Sequence, residues 1–440
     1  MRTMFEHEER QLREVKSKLE DLPIPDVQLD DAIQRGFIIA DAEWRTKRQK
    51  RRKSLWTVAI ASIFLLAFVT SIRVSPAFAN AVASIPGMGK LVEYIQYDKG
   101  LQGIMDNEYY QSVHASQMED NLTLTIDGVI LDESGIVISY MLEAPYSIRD
   151  LSYKKIKLYH NGKEVSPGST SYDNPNQQHE NRKEDLIQIG FLNKESFVNQ
   201  DFVLELQLDN AKETVFSLPF KLPEKVKKAR VYTLNKEIEV DNQKMTIQDI
   251  TIYPLRVAIK IAFDDANTME ILNFEDMRIE DDKGEVWSSI RNGMTVSGVG
   301  EEERIYFLQS NYFGKPGKLY FKMNKMQALP KDESYLLVDF QKQAILKQPA
   351  AGKIEVTEVT GNSIEARVLK GNEESISELF FTAENAGGEK VESNGSSGWR
   401  DGEYQYSAIY FTENQCENPV KVYFSFYPNY INGDISIELK

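Results

Sequence analysis

Cysteine and histidine are scarce in this chain. Its 440 residues include one cysteine, Cys416, so no intrachain disulfide can form. The four histidines share no spacing typical of a metal site. None of the motifs G-x-S-x-G, H-E-x-x-H, the P-loop or G-x-G-x-x-G occurs. We therefore expect no enzymatic activity, metal site or cofactor. The role of Cys416 stays open, because no sequence neighbour would activate its thiol.

Positive charge is also scarce, except near the amino end. Residues 1–53 carry 13 basic and 11 acidic residues, whereas residues 54–440 carry 39 basic and 56 acidic residues. An acidic surface repels the phosphates of nucleic acids. The charge distribution therefore argues against nucleic acid as a partner of the larger part.

One long stretch, residues 54–72, has no charged residue and no Asn, Gln, His, Pro or Gly. As a helix its nineteen residues span the hydrocarbon core of a bilayer, which is about 30 Å thick. Seven of the nine residues before it are basic. The positive-inside rule then puts residues 1–53 in the cytoplasm and residues 73–440 outside. We expect a single-pass protein of the cell membrane.

Two other interpretations of this stretch remain open. It is also consistent with a buried core helix, or with a signal peptide removed after Ala77, Phe78 and Ala79, which have the small-x-small form of a cleavage site. Regulated cleavage at the same three residues is compatible with a retained membrane helix. An exported part without disulfides favours a Gram-positive cell surface over a eukaryotic secretory product.

The cytoplasmic segment has a pattern typical of an amphipathic helix over residues 4–21. Its apolar residues recur at spacings of seven, three and four, and a second helix over residues 32–44 adds two more. Fifty-three residues bury little core. The stripe therefore predicts binding to the groove of a cytoplasmic protein, or packing of the helices on each other or on the membrane. The residues predicted to bind the partner are Phe5, Leu12, Val15, Leu19, Ile33 and Phe37.

Residues 73–117 have mostly helical spacing. We predict a helical stalk outside the membrane; an ordinary core helix of the first outer domain is the alternative.

From residue 118 the hydrophobic period changes to two, which is typical of strands. Similar pairs of alternating segments recur roughly 110–120 residues apart, which is the size of a β-sandwich. We predict three tandem sandwiches, although the third is also consistent with a smaller β-module. The glycines of residues 387–388 and 395–398 are expected in hairpin turns or loops. The predicted sandwiches comprise residues 118–223, 224–347 and 348–440.

Several short motifs around the apolar stretch resemble a known family. The chain has Leu22-Pro23-Ile24-Pro25 before the basic run, and Ser75-Pro76-Ala77-Phe78-Ala79 and Ile85-Pro86-Gly87-Met88-Gly89 after the stretch. Over about residues 10–145 it resembles membrane-anchored proteins of Gram-positive spore-formers that carry a domain of unknown function, family 4179. The resemblance implies an anti-sigma factor for an extracytoplasmic-function (ECF) sigma factor. It supplies no catalytic residues, and the missing zinc motif implies a binding mode different from that of zinc anti-sigma domains.

The sequence thus predicts a mainly β protein with a short helical cytoplasmic segment, one transmembrane helix, a helical stalk and three extracellular sandwiches. The expected function is that of a single-pass membrane regulator which holds a cytoplasmic sigma factor and senses an envelope ligand. The alternative is a surface structural or adhesion protein that binds wall polymer or protein. The expected partners are therefore a cytoplasmic protein, the lipid bilayer and an envelope ligand.

Overall fold

A computed structural model describes residues 98–440, except 174–179, 192–193, 198, 289–294, 298–301, 370–377 and 413–415. The predicted cytoplasmic segment (1–53), the transmembrane helix (54–72) and most of the predicted stalk lie outside the described residues. Within the described residues, no helix is long and apolar enough to cross a membrane. One α-helix, α1 (Lys99–Asp106), precedes a series of antiparallel strands.

The first sandwich packs two sheets on each other. Its strand orders are β1-β2-β3-β7-β6 and β5-β4-β8-β9. Residues that alternate along these strands, such as Leu204 and Leu206 on β8, bury one apolar core between the sheets. The strands are β1 (Gln111–Glu119), β2 (Leu122–Asp132), β3 (Gly135–Glu143), β4 (Tyr153–His160), β5 (Lys163–Glu164), β6 (Pro167–Ser171), β7 (Arg182–Phe191), β8 (Asp201–Leu208) and β9 (Val215–Lys221).

The second sandwich repeats this arrangement. One sheet has the order β10-β11-β12-β17-β16 and the other β13-β18-β14-β15. A separate apolar core lies between them. The strands are β10 (Arg230–Val240), β11 (Gln243–Ile252), β12 (Arg256–Phe263), β13 (Met269–Phe274), β14 (Arg278–Asp281), β15 (Val286–Trp287), β16 (Thr295–Ser297), β17 (Glu303–Gln309) and β18 (Leu319–Pro330).

The third sandwich begins after a short 3-10 turn at Lys331–Glu333. Its sheets have the orders β20-β19-β27-β23-β24 and β21-β22-β26-β25 around a third core. The strands are β19 (Tyr335–Asp339), β20 (Ala344–Lys347), β21 (Ile354–Val359), β22 (Ser363–Leu369), β23 (Phe380–Glu384), β24 (Lys390–Val391), β25 (Ser393–Asp401), β26 (Tyr404–Phe411) and β27 (Val420–Phe424). The last strand is β28 (Tyr430–Leu439).

The first two sandwiches share details of backbone conformation. The hairpins β1–β2 and β10–β11 both turn on an Asp-Asn pair, Asp120-Asn121 and Asp241-Asn242, in which all four residues have positive φ between 49° and 63°. Such a two-residue turn follows the twist of its strands. Both first strands also contain a bulge with a residue of positive φ, His114 in β1 and Asn235 in β10. The repeat seen in the sequence therefore extends to its turns and irregularities.

The second and third sandwiches exchange their closing strands. In the first sandwich, β9 follows β8 and pairs with it. In the second, β19 follows β18 but pairs with β27 of the third sandwich. The edge of β18 is instead covered by β28, which arrives after the whole third sandwich. Ile431 and Leu439 of β28 are buried in the core of the second sandwich. The two sandwiches are therefore tied together by a strand from each side.

The structure differs from the sequence-based predictions in four segments. The strands of residues 335–347 belong to a sheet of the third sandwich, and residues 430–439 to the second, because an alternating strand fits the edge of either sheet. Residues 111–117, predicted as part of a helical stalk, lie in β1. The glycine-rich residues 395–398, expected in a turn or loop, lie in β25, since their backbone pairs with β26.

Candidate functional site

The residues predicted to bind a cytoplasmic partner lie outside the described residues, as do those of the predicted cleavage region. The first group is Phe5, Leu12, Val15, Leu19, Ile33 and Phe37, and the second is Ala77, Phe78 and Ala79. Two places in the described chain have features that a packed core does not require. One is the junction that holds α1, and the other is an exposed sheet face on the third sandwich.

Helix α1 is held between the first and second sandwiches. Asp98 caps its amino end, accepting hydrogen bonds from the backbone N–H groups of Gly100 (2.7 Å) and Leu101 (3.1 Å). Gly100 lies so close to the second sandwich that an added Cβ would be 2.8 Å from the backbone nitrogen of Ser310. On the other side, Leu101 and Ile104 pack in one cluster with Ile130, Val137 and Leu186 of the first sandwich. The helix therefore contacts both domains.

The buried carboxylate of Asp132 joins the same two sandwiches. Its Oδ1 accepts hydrogen bonds from Ser134 N (2.7 Å), Ser134 Oγ (2.7 Å) and Gly135 N (3.1 Å) within the first sandwich. Its Oδ2 accepts one from Leu255 N of the second, at 2.6 Å. Burial raises the pKa of Asp132, and the hydrogen bonds from Leu255 and Ser134 oppose this rise. The guanidinium of Arg256 donates to Ser134 and lies over the ring of Phe307. One carboxylate thus fixes a tight turn and a domain contact.

An exposed face on the third sandwich is rich in aromatic side chains. Along β26 the residues Gln405, Ser407, Ile409 and Phe411 are buried, so the alternate residues point outward. Three of those outward residues are tyrosines, and the neighbouring edge strand β25 adds Trp399, which is 40% exposed. We call these four residues, Trp399, Tyr404, Tyr406 and Tyr410, the aromatic face.

One row of side chains crosses all four strands of this sheet. Trp399 pairs with Tyr406, Tyr406 with Arg367, and Arg367 with Glu355. The rings of Trp399 and Tyr406 are stacked, with centroids 5.2 Å apart and planes at 10°. Arg367 donates to Tyr406 Oη (3.3 Å) and to Glu355, and these two hydrogen bonds raise its pKa. The row therefore holds the indole in place through contacts on one side of its ring.

A second aromatic side chain lies further along β26. Tyr410 is 42% exposed, and its hydroxyl lies 3.3 Å from Ser397 Oγ on β25. Gly395 lies opposite Tyr410 in the register and offers no side chain beside the ring. Between Tyr410 and Tyr406 on the same side of β26 lies Ala408, which is only 3% exposed. The aromatic face thus has rings at both ends and small residues between them.

His160 and Cys416 pack against the cores of the first and third sandwiches, respectively. The imidazole of His160 lies 2.9 Å from Asn199 Oδ1 and packs against Phe197 and Phe202. The partly buried Cys416 has its Sγ 3.7 Å from the backbone oxygen of Thr412. In the part of the chain that the structure describes, no three His, Cys, Asp or Glu side chains come together to hold a metal ion.

A pocket of about 100 Å³ lies at one edge of the second sandwich, beside Arg304. The Arg304 guanidinium donates to the backbone oxygen of Ile271 and to the Glu270 carboxylate, and lies over the ring of Phe263. Ligand pockets usually measure about 300–1,000 Å³. This pocket is therefore too small for a ligand of ordinary size.

The aromatic face was missed in the sequence, although a signal for it exists. Three tyrosines, Tyr404, Tyr406 and Tyr410, occupy even-numbered positions of β26, whereas the buried Ile409 and Phe411 occupy odd-numbered ones. In a strand, the two sets point to opposite faces. A strand with large aromatic residues on both faces has one aromatic face pointing to solvent unless another element covers it. Trp399 gave no such signal, because the glycines before it indicated a loop.

Family models match two regions of the chain. Residues 48–144 match a domain of unknown function, DUF4179, and residues 229–348 match a family of unknown function, DUF5643. The first match confirms the family named for the resemblance. No curated protein matches the chain significantly.

Two solved structures show weak similarity. The crystal structure of the conserved domain protein from Bacillus anthracis aligns with a TM-score of 0.38 at 14% identity, covering 57% of this chain and 86% of that one. The cycloalternan-forming enzyme from Listeria monocytogenes in complex with pentasaccharide substrate aligns with a TM-score of 0.15 at 8% identity, covering 67% of this chain and 29% of that one. At such scores neither likeness bears on function.

Proposed function

We propose that this chain, which carries a DUF4179 domain at residues 48–144, is a single-pass membrane regulator that holds an ECF-type sigma factor. In this proposal residues 1–53 bind the sigma factor in the cytoplasm, residues 54–72 cross the membrane, and the sandwiches lie outside. The uncharged stretch with its basic flank and the amphipathic stripe of Leu12, Val15 and Leu19 support this arrangement.

The observation that carries the proposal is the position of α1. It is the first described element after the proposed membrane helix, and it contacts both the first and the second sandwich. A regulator needs a route by which a change outside reaches the membrane. A shift between the two sandwiches would move α1, and with it the chain that leads back to the membrane. Cleavage near Ala77, Phe78 and Ala79 is a second route by which the partner would be released.

The test uses the full-length protein in cells that carry a reporter for the sigma-dependent promoter. Leu12→Ala with Leu19→Ala removes about half of the amphipathic stripe and should raise promoter activity and abolish cross-linking to the sigma factor. Arg10→Ala with Glu14→Ala, on the opposite side of the predicted helix, is the matched control and should change neither readout. Unchanged promoter activity and cross-linking in the Leu12/Leu19 variant would refute the proposal.

A surface adhesion protein is the second candidate, and the exposed aromatic face favours it. In that case the sandwiches bind a wall polymer or a protein, and the cytoplasmic segment only orients insertion. Replacing residues 1–44 by an unrelated soluble tag separates the two functions. Cell-surface binding should survive the replacement under this second function, whereas control of the promoter should be lost under the first.

A further inference from the structure

We propose that the aromatic face of the third sandwich binds an uncharged oligosaccharide of pyranose sugars. The inference does not depend on what residues 1–53 bind, and it would hold for either function above. Its basis is the geometry of the four rings, the polar groups between them, the size of the surface and its charge.

The ring faces are the first part of the case. Trp399 lies on the edge strand β25, so one face of its indole is stacked on Tyr406 and the opposite face points away from the sheet. The face of an aromatic ring carries partial negative charge and attracts the weakly positive C–H groups of a sugar ring. Because the stacked row fixes the indole, little rotamer freedom is lost on binding.

The polar groups suit hydroxyl-bearing ligands. Ser397 and Tyr410 each have a hydroxyl that can donate or accept a hydrogen bond. Ser397 lies on β25 between the positions opposite Tyr410 and Tyr406. Asp401 follows Trp399 on the same side of β25 and is exposed, so its carboxylate is available as an acceptor. Sugar hydroxyls donate and accept hydrogen bonds at many points around the ring. The aromatic rings therefore match the C–H groups on the face of a pyranose, and the neighbouring hydroxyls and carboxylate match the hydroxyl groups around its edge.

The size of the face argues against a folded protein as the occupant. The four-stranded sheet that carries the aromatic face, at about 4.8 Å per strand and about 3.4 Å for each of seven residues, covers roughly 460 Å². Stable protein interfaces bury about 800 Å² on each partner. A short oligosaccharide needs less area than a protein interface and fits on the aromatic face.

The charge of the face argues against an anionic polymer. The outward positions around the rings include four carboxylates, Glu355, Glu358, Glu365 and Asp401. They include one guanidinium, that of Arg367, which is already paired with Glu355. The part of the chain from residue 54 onward is acidic as well, with 56 acidic and 39 basic residues. Phosphate-bearing or sulfated chains would be repelled. An uncharged glycan meets no such penalty.

The experiment measures binding of the full-length protein, in detergent micelles, to immobilised hexamers of glucose, mannose and N-acetylglucosamine. A sulfated glycan and a polyglycerol phosphate serve as anionic probes. We expect at least one neutral hexamer to bind and both anionic probes to fail. Trp399→Ala should weaken the binding at least tenfold and Trp399→Phe by less, because phenylalanine keeps a ring for stacking.

The matched control is Tyr146→Ala in the first sandwich, because Tyr146 is an aromatic residue of similar exposure (42%) to Trp399 (40%). This substitution should leave the affinity unchanged. Circular dichroism and thermal melting of each variant confirm that it is folded. The proposal is overturned if no neutral hexamer binds, if only an anionic probe binds, or if the folded Trp399→Ala variant binds as tightly as the parent protein.

Discussion

Replacing Asp132 tests how the first two sandwiches are joined. Its two carboxylate oxygens have separate tasks, since Oδ1 holds the turn at Ser134 and Gly135 while Oδ2 accepts the N–H of Leu255 from the second sandwich. Asp132→Asn keeps the first oxygen and replaces the second by an NH₂ group. Asp132→Ala removes both. The pair of variants therefore separates the domain contact from the local turn.

The expected magnitudes follow from the number of buried donors left without an acceptor. Each such donor costs about 1–3 kcal/mol. Asp132→Asn leaves one, the Leu255 N–H, and should destabilise the junction by about 1–2 kcal/mol. Asp132→Ala leaves three backbone N–H groups and the Ser134 hydroxyl without this acceptor. Relief of the buried charge offsets part of that loss, so we expect a total of about 3 kcal/mol.

Hydrogen exchange of the full-length protein, read by mass spectrometry, measures these changes locally. A cost of about 1.4 kcal/mol corresponds to a tenfold change in an equilibrium constant. The peptide that contains Leu255 should therefore exchange roughly tenfold faster in Asp132→Asn. Asp264→Asn is the matched control, because Asp264 caps an exposed turn through Ala266 away from this junction. Equal exchange in the parent protein and in Asp132→Asn, or equal effects of the two Asp132 variants, would refute the reasoning.

Three further predictions concern stability, each measured by urea unfolding. Lys183→Met should destabilise the first sandwich by about 3–5 kcal/mol, because it leaves the buried carboxylate of Asp185, which lies 2.9 Å from Lys183 Nζ, without its counter-charge. The double variant with Asp185→Leu should be close to neutral. Additive effects of the two single substitutions would contradict this reasoning. Gly128→Ala should lower the free energy of unfolding by about 1–3 kcal/mol, since the new Cβ would lie 2.2 Å from Tyr110. Adding Tyr110→Ala should remove most of that clash. A free-energy cost of Gly128→Ala that is the same with and without Tyr110→Ala would argue against the clash as its cause. Deleting residues 430–440 should unfold the second sandwich before the third, because it uncovers β18; loss of the third sandwich first would disprove the assignment of β28.

The sequence predicts the strands of this fold well and their partners less well. Alternation identifies the strand pairs β2–β3 and β11–β12, because each pair is joined by a short turn. It does not identify β1, most of which was predicted as part of a helical stalk. The exchange of β19 and β28 leaves no trace in the sequence, since Leu336, Val338 and Ile431 would be buried at the edge of either sheet.

The candidate sites were predicted only in part, for similar reasons. Helical spacing identified α1, but not the contact of Gly100 with Ser310, which joins residues far apart in the chain. Trp399 directly follows Gly398, and Gly395 lies four residues before it. The low strand propensity of these glycines opposes the strand that pairing with β26 imposes. Contacts between distant segments decide both sites, and a single sequence does not record them.

The exchanged strands set an order of events during synthesis. The second sandwich begins at residue 230, but β28 at residues 430–439 is needed to cover the edge of β18. Until that strand emerges, β18 presents an open edge that invites pairing with other chains. The third sandwich completes its own sheet with β19, which has already emerged, so it can fold first. A chaperone would therefore have a defined target on the nascent chain, the uncovered β18, for as long as residues 331–429 take to appear.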